Sequence, residues 1–265
     1  MKRILSLLAI LTASLSLQAQ GVAFLNINPD PASAALAGTG VARTADAYAL
    51  ENNIAAAALG GPTMDVSVGY GRWQPKAAAV NVISAAGYYR VTDKLAIGLQ
   101  FKDFAYPEYS IISADGRSKG AFSPMEMAVG LGAAYQIADG FSAGVSLRYV
   151  SSALAEEAKA SAFGADIALK YEKDDFQAGL SVNNVGTPVN YGGDNYAQPG
   201  VVRAGGAYSI AGLTASAEVD YLFAGALMAG LGLGVKYAGV HLDLAFLTAS
   251  KTIGNSLMLG LGYAF

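Results

Sequence analysis

Residues 255–265, NSLMLGLGYAF, carry the pattern that decides the fold. The odd positions from Leu257 to Phe265 are large and apolar, whereas the even positions from Met258 to Ala264 are mostly glycine and alanine. Alternate side chains of a β-strand point to opposite faces of a sheet. The stretch therefore predicts a strand with one apolar face and one nearly bare face.

The same period of two recurs along the chain. Each repeat is near the 9–11 residues that a tilted strand needs to cross the hydrocarbon of a bilayer. The pattern predicts about twelve antiparallel strands, within a range of roughly ten to fourteen. They lie at 64–72, 77–90, 95–106, 125–137, 141–149, 163–171, 175–185, 201–210, 213–221, 227–237, 240–249 and 255–265. The connections between them alternate between tight turns and longer loops near 107–122, 152–161 and 186–200.

A transmembrane β-barrel and a soluble β-sandwich both produce such alternation. Two features favour the barrel. The second face is mostly Gly, Ala and Ser, whereas a water-facing sheet would carry many Lys and Glu. Aromatic residues also gather near the strand ends, as membrane interfaces select, among them Tyr70, Tyr88, Phe104, Tyr149 and Phe163. We therefore predict an all-β fold, a transmembrane antiparallel β-barrel formed by residues 62–265.

The composition agrees with a membrane protein and excludes several other classes. Charged residues make up 14% of the 265 residues and hydrophobic residues 53%, with 17 Lys and Arg against 20 Asp and Glu. Intrinsic disorder is excluded because it needs low hydrophobicity and high net charge. Nucleic acid is not expected as a partner because phosphate binding needs a basic surface. The absence of cysteine excludes thiol redox sites and zinc fingers, and we expect no metal and no cofactor.

Residues 1–19 have the order of a secretory signal peptide. Lys2 and Arg3 precede the apolar run 4–17, and cleavage is predicted after Ala19. A membrane-anchoring helix is the alternative, but it needs about 20 apolar residues. We expect export through the cleaved signal peptide and insertion into the outer membrane, where the chain contacts lipid.

Residues 20–61 do not alternate like the rest. Prolines and asparagines surround two alanine-rich stretches, 32–37 and 54–59, which could each form one or two helical turns with Asp30 or Asn53 as an N-cap. One interpretation is a hatch folded into the barrel lumen, and the other is a disordered leader on the periplasmic side. The small residues on the inward faces favour the hatch, because they leave room for a segment packed inside.

This segment resembles the N-terminal signature of the PorV/PorQ family. Those proteins are outer-membrane barrels related to the FadL long-chain fatty acid transporters, and they occur in bacteria that use type IX secretion. The resemblance covers 24–32, 35–42, 46–49 and 53–55. It places a hatch motif at Asp30, Gly38, Gly40, Asp46 and Asn53. The terminal Phe265 resembles the signal that the barrel assembly machinery recognises.

The resemblance implies two functions of different classes. By likeness to PorV and PorQ, the chain would be a protein-interaction barrel that handles secreted cargo, with that cargo or type IX secretion components as partners. By likeness to FadL, it would be a hatch-gated transporter for small hydrophobic molecules. A filled lumen would favour the first function, and a continuous apolar patch beside the hatch would favour the second.

Charged residues on the inward faces predict a polar network in the lumen. Its acids and bases nearly balance, which favours internal ion pairs or a packed plug over a strongly selective ion pore. Glu218 and Asp220, about 7 Å apart along one strand, could be an acid/base pair, although ion pairs with inward cations are favoured. The predicted network comprises Lys102, Glu126, Arg148, Asp166, Lys170, Arg203, Glu218, Asp220, Lys236, His241 and Asp243.

No catalytic residues are predicted. Barrel enzymes generally use histidine as a base, often with Asp or Ser, and His241 is the single histidine of this chain. It follows a turn predicted to be periplasmic, and we interpret it as a lumen residue bonded to a neighbour.

The loop 186–200 carries Tyr191 and Tyr196 among glycines. Exposed tyrosines in an outer loop could bind a partner. A loop that is merely solvated is the alternative.

Overall fold

A computed structural model describes residues 20–36, 38–73, 78–211, 213–237, 240–247 and 256–263. The predicted signal peptide 1–19 and the terminal Phe265 lie outside these ranges. None of the helices within them is long and apolar enough to cross a membrane.

The described chain is mainly β-structure. In chain order the strands are β1 Met64–Trp73, β2 Val80–Arg90, β3 Leu95–Ala105, β4 Tyr109–Ile112, β5 Ser118–Phe122, β6 Met125–Ala138, β7 Phe141–Ala153, β8 Lys159–Lys173, β9 Phe176–Gly186, β10 Val189–Tyr191, β11 Asp194–Tyr196, β12 Val201–Ile210, β13 Leu213–Leu222, β14 Ala226–Tyr237, β15 Val240–Leu247 and β16 Ser256–Tyr263. Twelve of them form one antiparallel sheet in the order β1-β2-β3-β6-β7-β8-β9-β12-β13-β14-β15-β16. The predicted strand number is confirmed.

Two predicted loops contain strands of their own. β4 pairs with β5 between β3 and β6, and β10 pairs with β11 between β9 and β12. The loop expected at 152–161 is shorter than predicted, because β7 continues to Ala153 and β8 begins at Lys159. The three long connections, β3 to β6, β7 to β8 and β9 to β12, all lie at the same end of the barrel. In outer-membrane barrels this is the extracellular end, and the tight turns are periplasmic.

The two faces of each strand differ as the alternation predicts. On β7, Ser146 and Arg148 are buried, whereas Val145 and Leu147 are 58% and 69% exposed and face outward. Two residues assigned to the aromatic girdles were assigned wrongly, since Tyr88 and Phe104 are 3% and 0% exposed. Both lie near strand ends but on the inward face, where the N-terminal segment supplies packing partners.

The N-terminal segment 20–61, the hatch, forms short helical pieces inside the sheet. They are a 3₁₀ turn at Ala23–Asn26, a helix at Pro31–Ala35, a helix at Ala49–Asn52 and a 3₁₀ helix at Ile54–Ala58. Asp30 caps the first α-helix and Asn53 caps the 3₁₀ helix through their side chains. These local structures follow from residues that accept hydrogen bonds from the first exposed N–H groups of a helix.

The sheet curves around the hatch. Tyr48 is hydrogen-bonded to Ser84 of β2 at 2.8 Å, and the helix Pro31–Ala35 contacts β15 and β16. Twelve strands in a flat sheet would span about 50 Å, far more than this short segment could bridge. The strands at both ends of the order must therefore close on one lumen.

The hatch also runs the length of the lumen. At the long-loop end, Gly21 donates a backbone hydrogen bond to Ala197 at 3.0 Å, beside the β10–β11 hairpin. At the tight-turn end, Arg90 of β2 donates to the carbonyl oxygen of Gly60 at 2.6 Å. The main core lies between these ends, where hatch residues pack on the inward faces of the strands.

Inward glycines make room for the hatch. Cβ atoms placed at Gly98 and Gly144 would lie 2.8 Å and 2.6 Å from methyl carbons of Ile54, and one at Gly132 would overlap Leu50. Side chains at these three positions are excluded by the segment packed against them. The bare face seen in the sequence is thus the contact surface of the hatch.

Candidate functional site

The hatch is joined to β3 by a buried ion pair. Lys102 is completely buried, and its Nζ lies 2.7 Å from Oε1 of Glu51 in the helix Ala49–Asn52. The same Nζ donates to the carbonyl oxygens of Leu25 at 3.0 Å and Ile27 at 3.3 Å. Lys102 therefore holds two separate parts of the hatch.

Glu51 was not singled out from the sequence. It is the only charged residue between Asp46 and Asp65, and this isolation is the signal that could have found it. Burial raises the pKa of Glu51, but the positive charges of Lys102 and Arg148 outweigh this and hold its pKa below the usual value. The group is therefore a carboxylate inside the lumen.

A second contact joins the hatch to β12 and β13. The backbone N–H groups of Gly40 and Val41 donate to Oε2 of Glu218 at 2.6 Å and 2.8 Å. Arg203 places Nη2 2.6 Å from Oε1 of Glu218 and donates to the carbonyl oxygen of Gly38 at 3.1 Å. Consecutive N–H groups bind an anion well, so residues 38–41 of the hatch form a seat for the carboxylate of Glu218 on the wall.

Glycine is needed in this seat. Gly38 has φ +82°, a conformation that side chains disfavour, and a Cβ at Gly40 would overlap Asn52. On the wall, a Cβ at Gly179 of β9 would overlap the carbonyl oxygen of Val41. The hatch backbone and the wall backbone thus approach each other directly.

β8 holds the next stretch of the hatch. Lys170 donates to the carbonyl oxygen of Ala42, to that of Arg43 at 3.0 Å and to the Gln177 side chain at 2.6 Å. Asn53 donates to the carbonyl oxygen of Leu169 at 2.9 Å. These contacts fasten the hatch to a third region of the wall.

Asp30 organises the hatch internally. Its carboxylate caps the N–H groups of Ala32 and Ser33 at 3.0 Å and 3.1 Å, and Oδ2 accepts from Arg43 at 2.9 Å and from Asn52 at 2.8 Å. Three parts of the segment, the helix Pro31–Ala35, Arg43 and Asn52, therefore depend on one side chain.

Asp46 of the motif is a second partner of Arg43, at 2.8 Å. Burial raises the pKa of Asp46 to about 6, although Arg43 acts in the opposite direction. The ion pair with Arg43 is therefore lost as the pH falls through about 6.

Replacing Asp30 by alanine is expected to lower the free energy of unfolding by about 2 kcal/mol, the upper value for a lost N-cap. Arg43 and Asn52 would lose an acceptor as well. Asp30→Asn keeps an oxygen that can cap the helix and is expected to cost less. Urea unfolding in detergent, with limited proteolysis of the hatch, measures the difference. Wild-type behaviour of Asp30→Ala would contradict this role.

The other described members of the predicted network are paired on the outer half of the wall. Arg148 lies 3.1 Å from Asp166 and donates to Asn184, whose backbone N–H donates to Asp166 at 2.7 Å. Glu126 accepts from Tyr106 at 2.6 Å and from Ser152 at 2.8 Å. These groups stabilise the wall and do not contact one another as one cluster.

Tyr191 and Tyr196 are half-buried, not exposed as expected. The Tyr191 hydroxyl is hydrogen-bonded to Ser152 at 2.6 Å, and the two tyrosine rings lie 6.0 Å apart. The reason is the β10–β11 hairpin, which folds back and packs over Gly21 at the start of the hatch.

Three network members lie where only the backbone is described. Lys236 of β14 is opposite His241 of β15 in the register, and Gly234 is opposite Asp243. Their side chains are outside the described part of the chain. Within that part, no group of three or more His, Asp or Glu could hold a metal ion.

A cavity of about 430 Å³ lies between the hatch and the strands β12–β14. Its hatch side includes Leu25, Ile27 and Ala34. Its wall side includes Arg203, Glu218, Asp220, Leu222 and Met228, with Trp73 from β1. It therefore combines an apolar surface with a charged end.

Comparison with known proteins places this chain in a family. The family model for type IX secretion system protein PorV matches residues 13–221. No curated protein sequence matches the chain.

Several solved barrels are similar in structure. A TodX deltaS2S3 mutant monoaromatic hydrocarbon channel has a TM-score of 0.62 and 13% identity, over 89% of this chain and 89% of that chain. The toluene transporter TodX of Pseudomonas putida has a TM-score of 0.46 and 12% identity, over 88% and 95%. Outer membrane phospholipase A of Escherichia coli has a TM-score of 0.39 and 11% identity, over 69% and 79%. At such identities the first likeness shows the fold alone.

Proposed function

This chain belongs to the PorV family of type IX secretion system proteins and is an outer-membrane β-barrel, and on that premise we propose that it handles secreted cargo at the cell surface. In this role it receives or holds cargo proteins next to other secretion components. The barrel assembly machinery would insert it through the signal at Phe265. The proposal includes no catalytic step.

The filled lumen is the observation that carries this proposal. Lys102, Lys170 and Arg203 attach the hatch to β3, β8 and β12, and Glu218 attaches it to β13. Because these contacts come from several sides of the wall, the hatch cannot swing out without breaking most of them. A plugged barrel is suited to present its outer surface, not to conduct solute.

The outer surface contains two hairpins of different character. β4–β5 exposes Tyr109 and Ile112 at 40% and 58%. β10–β11, with Tyr191 and Tyr196, is seated over the barrel mouth. We assign cargo contact to the exposed β4–β5 hairpin and to the rim beside the two tyrosines, because aromatic side chains are common anchors at protein interfaces.

Removing the exposed anchors is expected to reduce surface display of type IX cargo strongly, while the amount of barrel in the outer membrane stays unchanged. A strain lacking the gene is complemented with the wild type or with a Tyr109→Ser, Ile112→Ser variant. A variant of the same hairpin, Lys119→Ser, serves as the control. Display is measured by protease accessibility of the cargo on whole cells.

The alternative function is a hatch-gated transporter for small hydrophobic molecules. The cavity beside the hatch is the observation that favours it. Normal cargo display in the deletion strain, together with reduced uptake of an apolar solute, would replace the cargo proposal by this one.

A further inference from the structure

The cavity beside the hatch is not used by cargo handling. Sites for small molecules commonly have volumes of about 300–1,000 Å³ and are mostly apolar, with a few placed polar groups. The volume of about 430 Å³ falls in this range. Trp73, Leu222 and Met228 supply an apolar wall of large side chains. The cavity can therefore accommodate a small organic molecule.

The charged end of the cavity has an excess of negative charge. Arg203 lies 2.6 Å from Glu218 and 3.6 Å from Asp220, so one cation faces two carboxylates. The other charged lining residues, Glu51 and Arg148, are each paired outside this group. Two carboxyl groups next to the cavity thus share one cation among the described side chains.

Asp220 also has a carboxylate oxygen, Oδ1, that has no hydrogen bond within the described residues. Its nearest cation, Arg203, places Nε 3.6 Å from it, beyond the length of a hydrogen bond. Arg203 is held by Glu218 instead, with Nη2 2.6 Å from Oε1. Asp220 lines the cavity, so a ligand that brings N–H groups could give this acceptor a donor.

We propose that the cavity binds a small amphipathic amine. Its protonated amino group lies against Asp220, next to Glu218, where it supplies a positive charge and a donor to Oδ1. Its apolar, preferably aromatic, body packs on Trp73, Leu222 and Met228. This site is independent of the proposed cargo function, because it lies inside the lumen and not on the outer hairpins.

The single tryptophan of the chain allows a direct test. Trp73 lines the cavity, so its fluorescence in the purified full-length barrel should change when a ligand enters. The probes are 2-phenylethylammonium, 2-phenylethanol and phenylacetate, which share one apolar body and differ in charge. The amine is expected to bind at least about tenfold more tightly than the alcohol, and the anion more weakly still.

Two variants separate the head group from the cavity. Asp220→Asn is expected to remove the tenfold preference for the amine, whereas Asp115→Asn on the β4–β5 hairpin keeps it. Ala34→Leu fills the cavity from the hatch side and is expected to abolish the response to all three probes. Equal binding of the three probes, an unchanged preference in Asp220→Asn, or no response of Trp73 would each overturn the proposal. Normal or impaired cargo display has no bearing on this result.

Discussion

Replacing Glu51 by alanine is expected to destabilise the folded barrel by about 3–5 kcal/mol, the cost of breaking a buried ion pair by removing one partner. The variant leaves Lys102 completely buried, with two carbonyl oxygens as the remaining hydrogen-bond acceptors of its charge among the described residues. The hatch should lose its attachment to β3 at the same time. Urea unfolding in detergent, followed by the change in migration between folded and unfolded barrel on gels, measures the loss.

The double variant Glu51→Leu, Lys102→Met tests the reason for this effect. It removes both charges and keeps similar volumes, so it should recover most of the stability lost in Glu51→Ala. Asp115→Ala, which breaks an exposed ion pair with Arg117, should leave unfolding unchanged. A wild-type unfolding curve for Glu51→Ala would show that the buried pair does not hold the hatch.

Replacing Gly144 by leucine is expected to force the 3₁₀ helix Ile54–Ala58 away from the wall. Even the first atom of the new side chain would lie 2.6 Å from Ile54 and 3.0 Å from the backbone nitrogen of Ala55. Overpacking a close-packed interior costs about 1–3 kcal/mol, and a backbone neighbour cannot rotate away as a side chain can. We expect a lower free energy of unfolding, faster proteolysis of residues 54–60 and a higher ion conductance in planar bilayers.

Gly71→Leu is the matched control for this prediction. Gly71 is a glycine of β1, and no atom of the described residues lies within 4 Å of a Cβ placed on it. The added side chain should therefore have little effect on hatch proteolysis or conductance. If Gly71→Leu and Gly144→Leu behaved alike, the effect would come from the strand and not from the seat of the hatch.

The strands were predictable because their signal is local. Side-chain alternation arises within a single strand that has one face towards lipid and the other towards the lumen. Each segment therefore shows the pattern whatever the rest of the fold does. The eight-residue strand β16 at 256–263 was predicted from the stretch 255–265, and β6 from 125–137. The helical turns of the hatch were also local, since Asp30 and Asn53 cap the residues that directly follow them.

The two outer hairpins were missed for the opposite reason. β10 and β11 are three residues each, too short for a period of two to be recognised. Their position depends on packing over Gly21, which lies far away in the sequence. The inward orientation of Phe104 has a similar cause, because its ring packs 5.3 Å from that of Phe24 in the hatch.

For the candidate site, the sequence showed which wall residues are charged and face inward, but not what they bind. Lys102 and Arg203 were expected in a network of lumen side chains, yet their partners include Glu51 and the backbone of Gly38 from the hatch. Contacts across such sequence separations exist only after the sheet has closed around the inserted segment.

The sequence by itself determined the barrel and its two faces, because alternation and membrane thickness act residue by residue. Only the tertiary structure decided that the bare inner face carries a fastened hatch and a charged cavity. The physical reason is that a buried charge needs a partner, and the partners of the lumen charges come within reach only when the fold has closed.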